Sequence, residues 1–312
     1  MTKEEKIAEL QEILREDSEN YRARRELALI LIDCSFAKEA TIHLKYLLKT
    51  FPEDCNLHYN LGIAYEKQKL FADAKNAYEI AIGLSENYTD AIYNLGLVHM
   101  ELQEYKKGIE CFKKVIAFEN EDSNSYFNLG LCYLKLGDLA KAYENFQNTI
   151  DINDSDIYAH FYMGNILVTV NNLSYAKEEF EKVIELSPDY SWAYYNLACI
   201  AYKEGNYDEV SDNLDKTIEL NPKDENAYVN YSKFLTKFNM YSEAKNMIEL
   251  ASQNCSNVGL MYYYAAQIAK IEQNAEDYVK YLNNAIANRD TLTIDLQKVM
   301  LELENFNDRG FV

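Results

Sequence analysis

One spacing governs most of this chain. From residue 21 to residue 292 the sequence repeats every 34 residues, in eight blocks with no insertion or deletion: 21–54, 55–88, 89–122, 123–156, 157–190, 191–224, 225–258 and 259–292. With Tyr21 as slot one, slot seven reads Leu27, Leu61, Leu95, Leu129, Met163, Leu197, Tyr231 and Ala265. Slot eight reads Ala28, Gly62, Gly96, Gly130, Gly164, Ala198, Ser232 and Ala266. Slot twenty is small in most blocks, from Ala40 and Ala74 to Ala244. Slot twenty-four is always large and apolar: Leu44, Tyr78, Phe112, Phe146, Phe180, Leu214, Ile248 and Leu282. A unit this short cannot enclose its own apolar face. It must stack on copies of itself, so the whole array counts as one elongated domain.

Small residues at two slots and large ones at two others describe a helical hairpin. The small slots let two helices approach closely, and the large ones fill the space between hairpins. All three prolines, Pro52, Pro188 and Pro222, fall in slot thirty-two, where a proline stops the second helix at its turn. The pattern resembles the tetratricopeptide repeat family, through segments such as Tyr59-Asn60-Leu61-Gly62 and Tyr93-Asn94-Leu95-Gly96. The resemblance covers residues 21–292 and implies an all-α, right-handed superhelical solenoid of eight helix-turn-helix repeats. The first and last blocks depart from the pattern at Ala28, Ala37, Ala265 and Tyr278, as units with a single neighbour do.

Flanking segments are expected to close the array. Residues 1–20 suit an N-terminal capping helix, with Ile7, Leu10, Ile13 and Leu14 in one apolar stripe. Residues 293–312 suit a C-terminal one. There Ile294, Leu296, Val299, Met300 and Leu303 should face inward, and Gln297, Lys298, Glu302, Glu304 and Asn305 outward, before a frayed tail from Asn307.

The chain carries 51 acidic and 31 basic residues, a net charge of −20, which argues against nucleic acid or an anionic membrane as partner. No signal-peptide core opens the sequence and no long apolar run crosses it, so a soluble cytoplasmic protein is expected. The six cysteines occupy scattered slots without a Cys-x-x-Cys pair, and read as reduced packing residues. His43, His58, His99 and His160 lie in different blocks and form no metal-binding motif. There is no glycine-rich phosphate loop and no nucleophile elbow. The expectation is no catalytic residue, no metal and no cofactor.

A candidate surface remains on the first helix of each hairpin. The core takes slots four, seven, eight and eleven, which leaves slots two, five, six, nine, twelve and thirteen for another face. In the family it resembles, that stripe lines the inner groove. Slot five supplies Tyr59, Tyr93, Phe127, Phe161 and Tyr195. Slot six supplies Asn60, Asn94, Asn128, Asn196 and Asn230, whose amides either pair with the backbone of a bound peptide or join neighbouring repeats. Slots nine and twelve add Leu97, Met100, Leu131 and Leu134, more apolar surface than a monomer leaves bare without a binder. Towards the C-terminal end the same stripe gathers Lys203, Lys233, Lys237 and Lys270.

These residues imply a non-catalytic scaffold that holds an extended or helical segment of another protein, apolar or aromatic, with acid towards the lysines. A chaperone's carboxyl-terminal tail is excluded. Of the basic-and-asparagine clamp such repeats use, only Asn165 and Asn196 match, while Phe161, Asn226 and Asn230 occupy the basic positions. The alternatives are a structural subunit of a larger assembly, and a regulatory module or peptide receptor acting on a separate enzyme.

Overall fold

The structure is a computed structural model that describes residues 2–311. Met1 and Val312, the outermost residues of the expected capping segments, lie outside the described residues. Among the described residues the chain is an all-α helical-repeat solenoid of eighteen α-helices and one short 3-10 turn, with no strand. Its contacts divide it into two compact units, Met1–Met163 and Gly164–Val312. The first holds α1 (Lys3–Glu16), α2 (Tyr21–Asp33), α3 (Ala37–Thr50), α4 (Cys55–Lys67), α5 (Phe71–Leu84), α6 (Thr89–Glu101), α7 (Tyr105–Phe118), α8 (Ser123–Lys135) and α9 (Leu139–Ile152). The division falls within α10 (Ile157–Thr169). The second unit continues with α11 (Leu173–Leu186), α12 (Ser191–Glu204), α13 (Tyr207–Leu220), α14 (Glu225–Lys237), α15 (Tyr241–Asn254), α16 (Val258–Glu272), α17 (Ala275–Ala287) and α18 (Leu296–Arg309).

The hairpin turns repeat to the residue. A left-handed backbone conformation occurs at Ser35, Lys69, Gln103, Gly137, Asn171, Gly205, Asn239 and Gln273, spaced 34 residues apart. In each case the next residue donates its N–H back across the helix end, from Phe36 to the Leu31 carbonyl over 2.8 Å and from Glu104 to His99 over 2.8 Å. That bond closes the last turn and satisfies a carbonyl the helix cannot. Only two of these positions are glycine; the others hold a conformation that L side chains adopt at a cost of roughly 1–2 kcal/mol. The second helices end differently. Phe51, Ser187 and Asn221 cap α3, α11 and α13 and are followed by Pro52, Pro188 and Pro222.

Slots eight and twenty-four are coupled. At Gly96 an added Cβ would stand 2.7 Å from the Phe112 ring, and at Gly130 and Gly164 it would stand 2.8 Å from the rings of Phe146 and Phe180. Gly62 is closed in the same way by Tyr78. Where slot eight carries a side chain, slot twenty-four carries no ring: Ala28 with Leu44, Ala198 with Leu214, Ser232 with Ile248 and Ala266 with Leu282. A glycine inside a helix costs about 1 kcal/mol against alanine. The ring seated on its bare backbone, fully buried in each case, offsets that cost.

At the N-terminal end Leu10 is 2% exposed and packs with Leu27 and Leu31, flanked by Ile7, Ile13 and Leu14. The end of α1 is fixed by Thr2 and Glu5, each capping the other's backbone N–H.

The C-terminal segment departs from expectation in three respects. Val299 is buried and Leu303 half-buried against the core, but Met300 is 44% exposed, and the half-buried Phe306 packs inward at helical spacing instead. Glu302, expected outward, turns in and accepts from the Tyr263 hydroxyl at 3.0 Å, the Gln267 amide at 3.1 Å and the Tyr278 hydroxyl at 3.4 Å. The tail is not frayed over its described residues. The helix runs to Arg309, and Phe311 packs on Tyr278 with ring centroids 5.4 Å apart. Tyr278, a ring at a slot that elsewhere holds nothing larger than Val210, is the platform for this end of the chain.

Candidate interaction surface

The slot-five rings are half-buried and serve the scaffold on one side. Tyr59 leans on Tyr78, Tyr93 on Phe112 and Phe127 on Phe146, with centroids 5.9, 5.7 and 5.5 Å apart. Each first-helix ring therefore rests on the ring that fills the glycine notch of its own hairpin. Phe161 is half-buried as well.

The asparagine donors are engaged with these tyrosines. The Asn94 amide donates to the Tyr59 hydroxyl over 3.3 Å, and Asn128 donates to Tyr93 over 2.9 Å. In the second unit Asn230 donates to the hydroxyl of Tyr195. Each pair spans 35 residues, slot five of one hairpin to slot six of the next. Where slot five of the preceding hairpin lacks a hydroxyl the bond changes. Asn196, preceded by Phe161, donates to the Trp192 carbonyl of its own helix at 2.8 Å. After Phe127 the slot-six residue is Tyr162, which stacks on Phe146 with centroids 5.3 Å apart. Asn60 follows Arg25, which instead pairs with Asp54 at 2.7 Å. Burial holds the Tyr59, Tyr93 and Tyr195 hydroxyls above their ordinary value of 10.0, so they stay protonated. At Asn94, Asn128 and Asn230 the amide N–H groups are thus engaged between hairpins.

Leu97, Met100, Leu131 and Leu134 are all half-buried, each keeping part of its surface open. The lysines are exposed, and three lie near rings: Lys233 is 5.8 Å from the Tyr264 centroid, Lys237 is 4.7 Å from Tyr202 and Lys270 is 5.9 Å from Tyr278. Lys237 also donates to the Tyr202 hydroxyl over 2.8 Å. These ammonium groups stay at the surface beside the rings.

In the second unit the predicted residues Tyr195, Lys203, Asn230 and Lys233 come together around a cleft of about 460 Å³. Val210 and Leu214 of α13 and Phe234 of α14 also line it. Sequence reasoning missed these, since Val210 and Leu214 sit at core slots and Phe234 at slot ten, outside the candidate stripe, and the signal that would have found them is the absence of a ring at Leu214.

Among the described residues no group of three or more His, Cys, Asp or Glu is placed to hold a metal, and no helix is long and apolar enough to cross a membrane. The six cysteines are unpaired, and burial pushes the Cys111 and Cys132 thiols up to about 11 and about 12. Such thiols are poor nucleophiles.

A repeated helical hairpin with half-buried apolar residues along its first helices has the architecture of a protein-interaction scaffold. Family models described as Tetratricopeptide repeat match residues 56–88, 89–122, 123–156 and 191–224. The chain is a tetratricopeptide-repeat protein. Among solved structures it is similar to MamA from Desulfovibrio magneticus, at 25% identity over 55% of this chain and 97% of that one, with a TM-score of 0.53. It shares its fold with YrrB, described as a TPR protein with an unusual peptide-binding site, at 24% identity over 59% and 94% of the two chains, TM-score 0.51. A tetratricopeptide repeat protein from Parabacteroides merdae covers more of it, 80% of this chain and 97% of that one, at 15% identity and a TM-score of 0.59. Among curated proteins none matches the sequence.

Proposed function

We propose that the chain is a non-catalytic adaptor that holds a segment of a partner protein along the face of its first helices. The observation that carries this reading is the apolar row of Leu97, Met100, Leu131 and Leu134, kept partly open although the slots beside it are buried. The architecture behind it is an array of eight 34-residue units, 21–292, between capping segments 1–20 and 293–312. The recurrence of the left-handed turn residue supports that division. The partner segment is apolar or aromatic, and acidic where it meets Lys203, Lys233, Lys237 and Lys270. The asparagine row acts by holding the face in register more than by gripping the ligand. Six unpaired thiols suit a reducing, cytoplasmic setting.

A second reading, assembly into a larger structure, draws on Ile271 and Leu301, 59% and 56% exposed. One experiment separates the two. Peptides selected from a random library on the intact chain are re-tested against Leu97→Glu with Leu131→Glu, and against Ile42→Glu with Tyr175→Glu on the exposed sides of second helices. The groove reading expects the first pair to weaken binding by roughly tenfold or more, the scale of a lost apolar anchor, and the second to leave it alone. The reverse pattern overturns it.

A further inference from the structure

In α4, α6 and α8 the slot-five ring rests on the aromatic ring at slot twenty-four. Under Tyr195 that ring is missing. Slot twenty-four there is Leu214, because Ala198 replaces the glycine that would make room for a ring. Slot twenty is also enlarged, to Val210. The cleft of about 460 Å³ lies at this place, floored by Ala198, Val210 and Leu214, all under 5% exposed, with Tyr195 and Phe234 beside them. Its remaining lining includes Lys203 and Lys233 and no acidic side chain, in a protein whose net charge is −20. Lys237 follows one turn further along α14.

We propose that this cleft receives one aromatic side chain from the partner segment, and that the residues flanking that side chain are acidic. The assignment rests on the groove reading above and names the chemistry of its C-terminal end. The incoming ring takes the position that the hairpin's own ring holds elsewhere in the chain. It meets the edge of Tyr195, which is already steadied by a T-shaped contact with Trp192 at 6.1 Å. Carboxylates on either side meet ammonium groups that no neighbouring acid in the cleft neutralises, which favours an acidic sequence over a neutral or basic one.

The chain supplies its own blocking variant. Ala198→Gly with Leu214→Phe recreates the pairing of Gly96 with Phe112 and fills the cleft from below. The probe is a synthetic peptide with one tryptophan flanked by glutamates, titrated by calorimetry into the intact protein, beside versions with alanine for the tryptophan and lysine for the glutamates. Wild-type protein should bind the parent peptide and lose roughly tenfold or more in affinity with either altered peptide, the scale of one buried aromatic anchor. The filled variant should show the same loss while keeping its helical signal. If that variant does not fold, Lys203→Glu with Lys233→Glu, both at exposed positions, reads the charge half of the proposal. Protection of the Cys199 thiol from alkylation by the parent peptide, followed by peptide mapping, reads the aromatic half. Failure of the parent peptide to bind, or equal binding to wild-type and filled protein, overturns the proposal. If library peptides still depend on Leu97 and Leu131 in that event, the groove reading stands without the cleft. If they do not, both fall.

Discussion

Gly96→Ala, Phe112→Leu and their combination test the coupling between slots eight and twenty-four. The new Cβ at Gly96 would lie 2.7 and 2.8 Å from two Phe112 ring carbons and 3.2 Å from the Cys111 Cβ. Carbon atoms rest about 3.5–4.0 Å apart, so the ring must retreat by nearly an ångström in a site that leaves it 0% exposed. Overpacking of this kind costs about 1–3 kcal/mol. Alanine returns about 1 kcal/mol of helix propensity, so the single variant should lose roughly 0–2 kcal/mol. Phe112→Leu alone leaves unfilled space beside a bare glycine and should cost on the order of 1 kcal/mol or more. Together the substitutions reproduce the alanine–leucine pair seen at Ala28 with Leu44 and at Ala198 with Leu214. The double variant should then be about 1 kcal/mol more stable than Phe112→Leu by itself, since the alanine keeps its propensity gain and no longer crowds a ring, a coupling of about 1–3 kcal/mol. Long repeat arrays do not always unfold in one step. The assay is therefore native-state hydrogen exchange of α6 and α7 with a urea melt beside it. Additivity within about 0.5 kcal/mol would refute the coupling.

Asn128→Ala should cost about 0.5–1.5 kcal/mol by removing the bond to Tyr93, and adding Tyr93→Phe should make matters no worse, as read from denaturant midpoints. Gly137→Ala, at φ +79° with nothing within 4 Å of its Cβ, should cost about 1 kcal/mol through backbone strain alone. Burial holds His99 below its ordinary 6.5, despite its 2.7 Å contact with Glu104. As the pH falls below 6.5 the unfolded imidazole takes up a proton that the folded one resists, so stability drops in that window, and His99→Gln should flatten the drop in a pH series of thermal melts. Glu302→Ala should speed hydrogen exchange in α16 and α17 while leaving α12 unchanged, because it releases Tyr263, Gln267 and Tyr278 together.

Much of the fold was legible in the sequence because one rule is written repeatedly. The helical character, the small and large slots and the proline stops all follow from side-chain size and backbone chemistry at fixed spacing. The left-handed turn residue was not legible, since Lys69, Gln103 and Gln273 carry no turn signature of their own. At the C-terminal end Glu302 was misplaced for a different reason. Polarity alone assigns a glutamate to water, but two tyrosine hydroxyls and an amide on the adjoining helices call for an acceptor. Of the candidate surface, the sequence offered a stripe of slots but not the bonds that its asparagines make to tyrosines. A period of 34 hides a contact that spans 35. The link from Tyr93 to Asn128 belongs to neither hairpin alone and shows only when two are stacked. The cleft was hidden because it is made by a residue that is too small, and a deficit of volume leaves no motif.

The pairing of slots eight and twenty-four bears on how such a chain can change over generations. Its two members sit on opposite sides of their own turn, so a duplication with ends between hairpins copies both together and leaves packing intact. A crossover at the left-handed residue would instead join a glycine to a leucine, or an alanine to a phenylalanine. The four aromatic pairs stand in succession, from Gly62 to Phe180, with aliphatic pairs on either side. Copying by whole hairpins would preserve such an order. Drift one residue at a time would have to pass through a crowded or a hollow intermediate at every step.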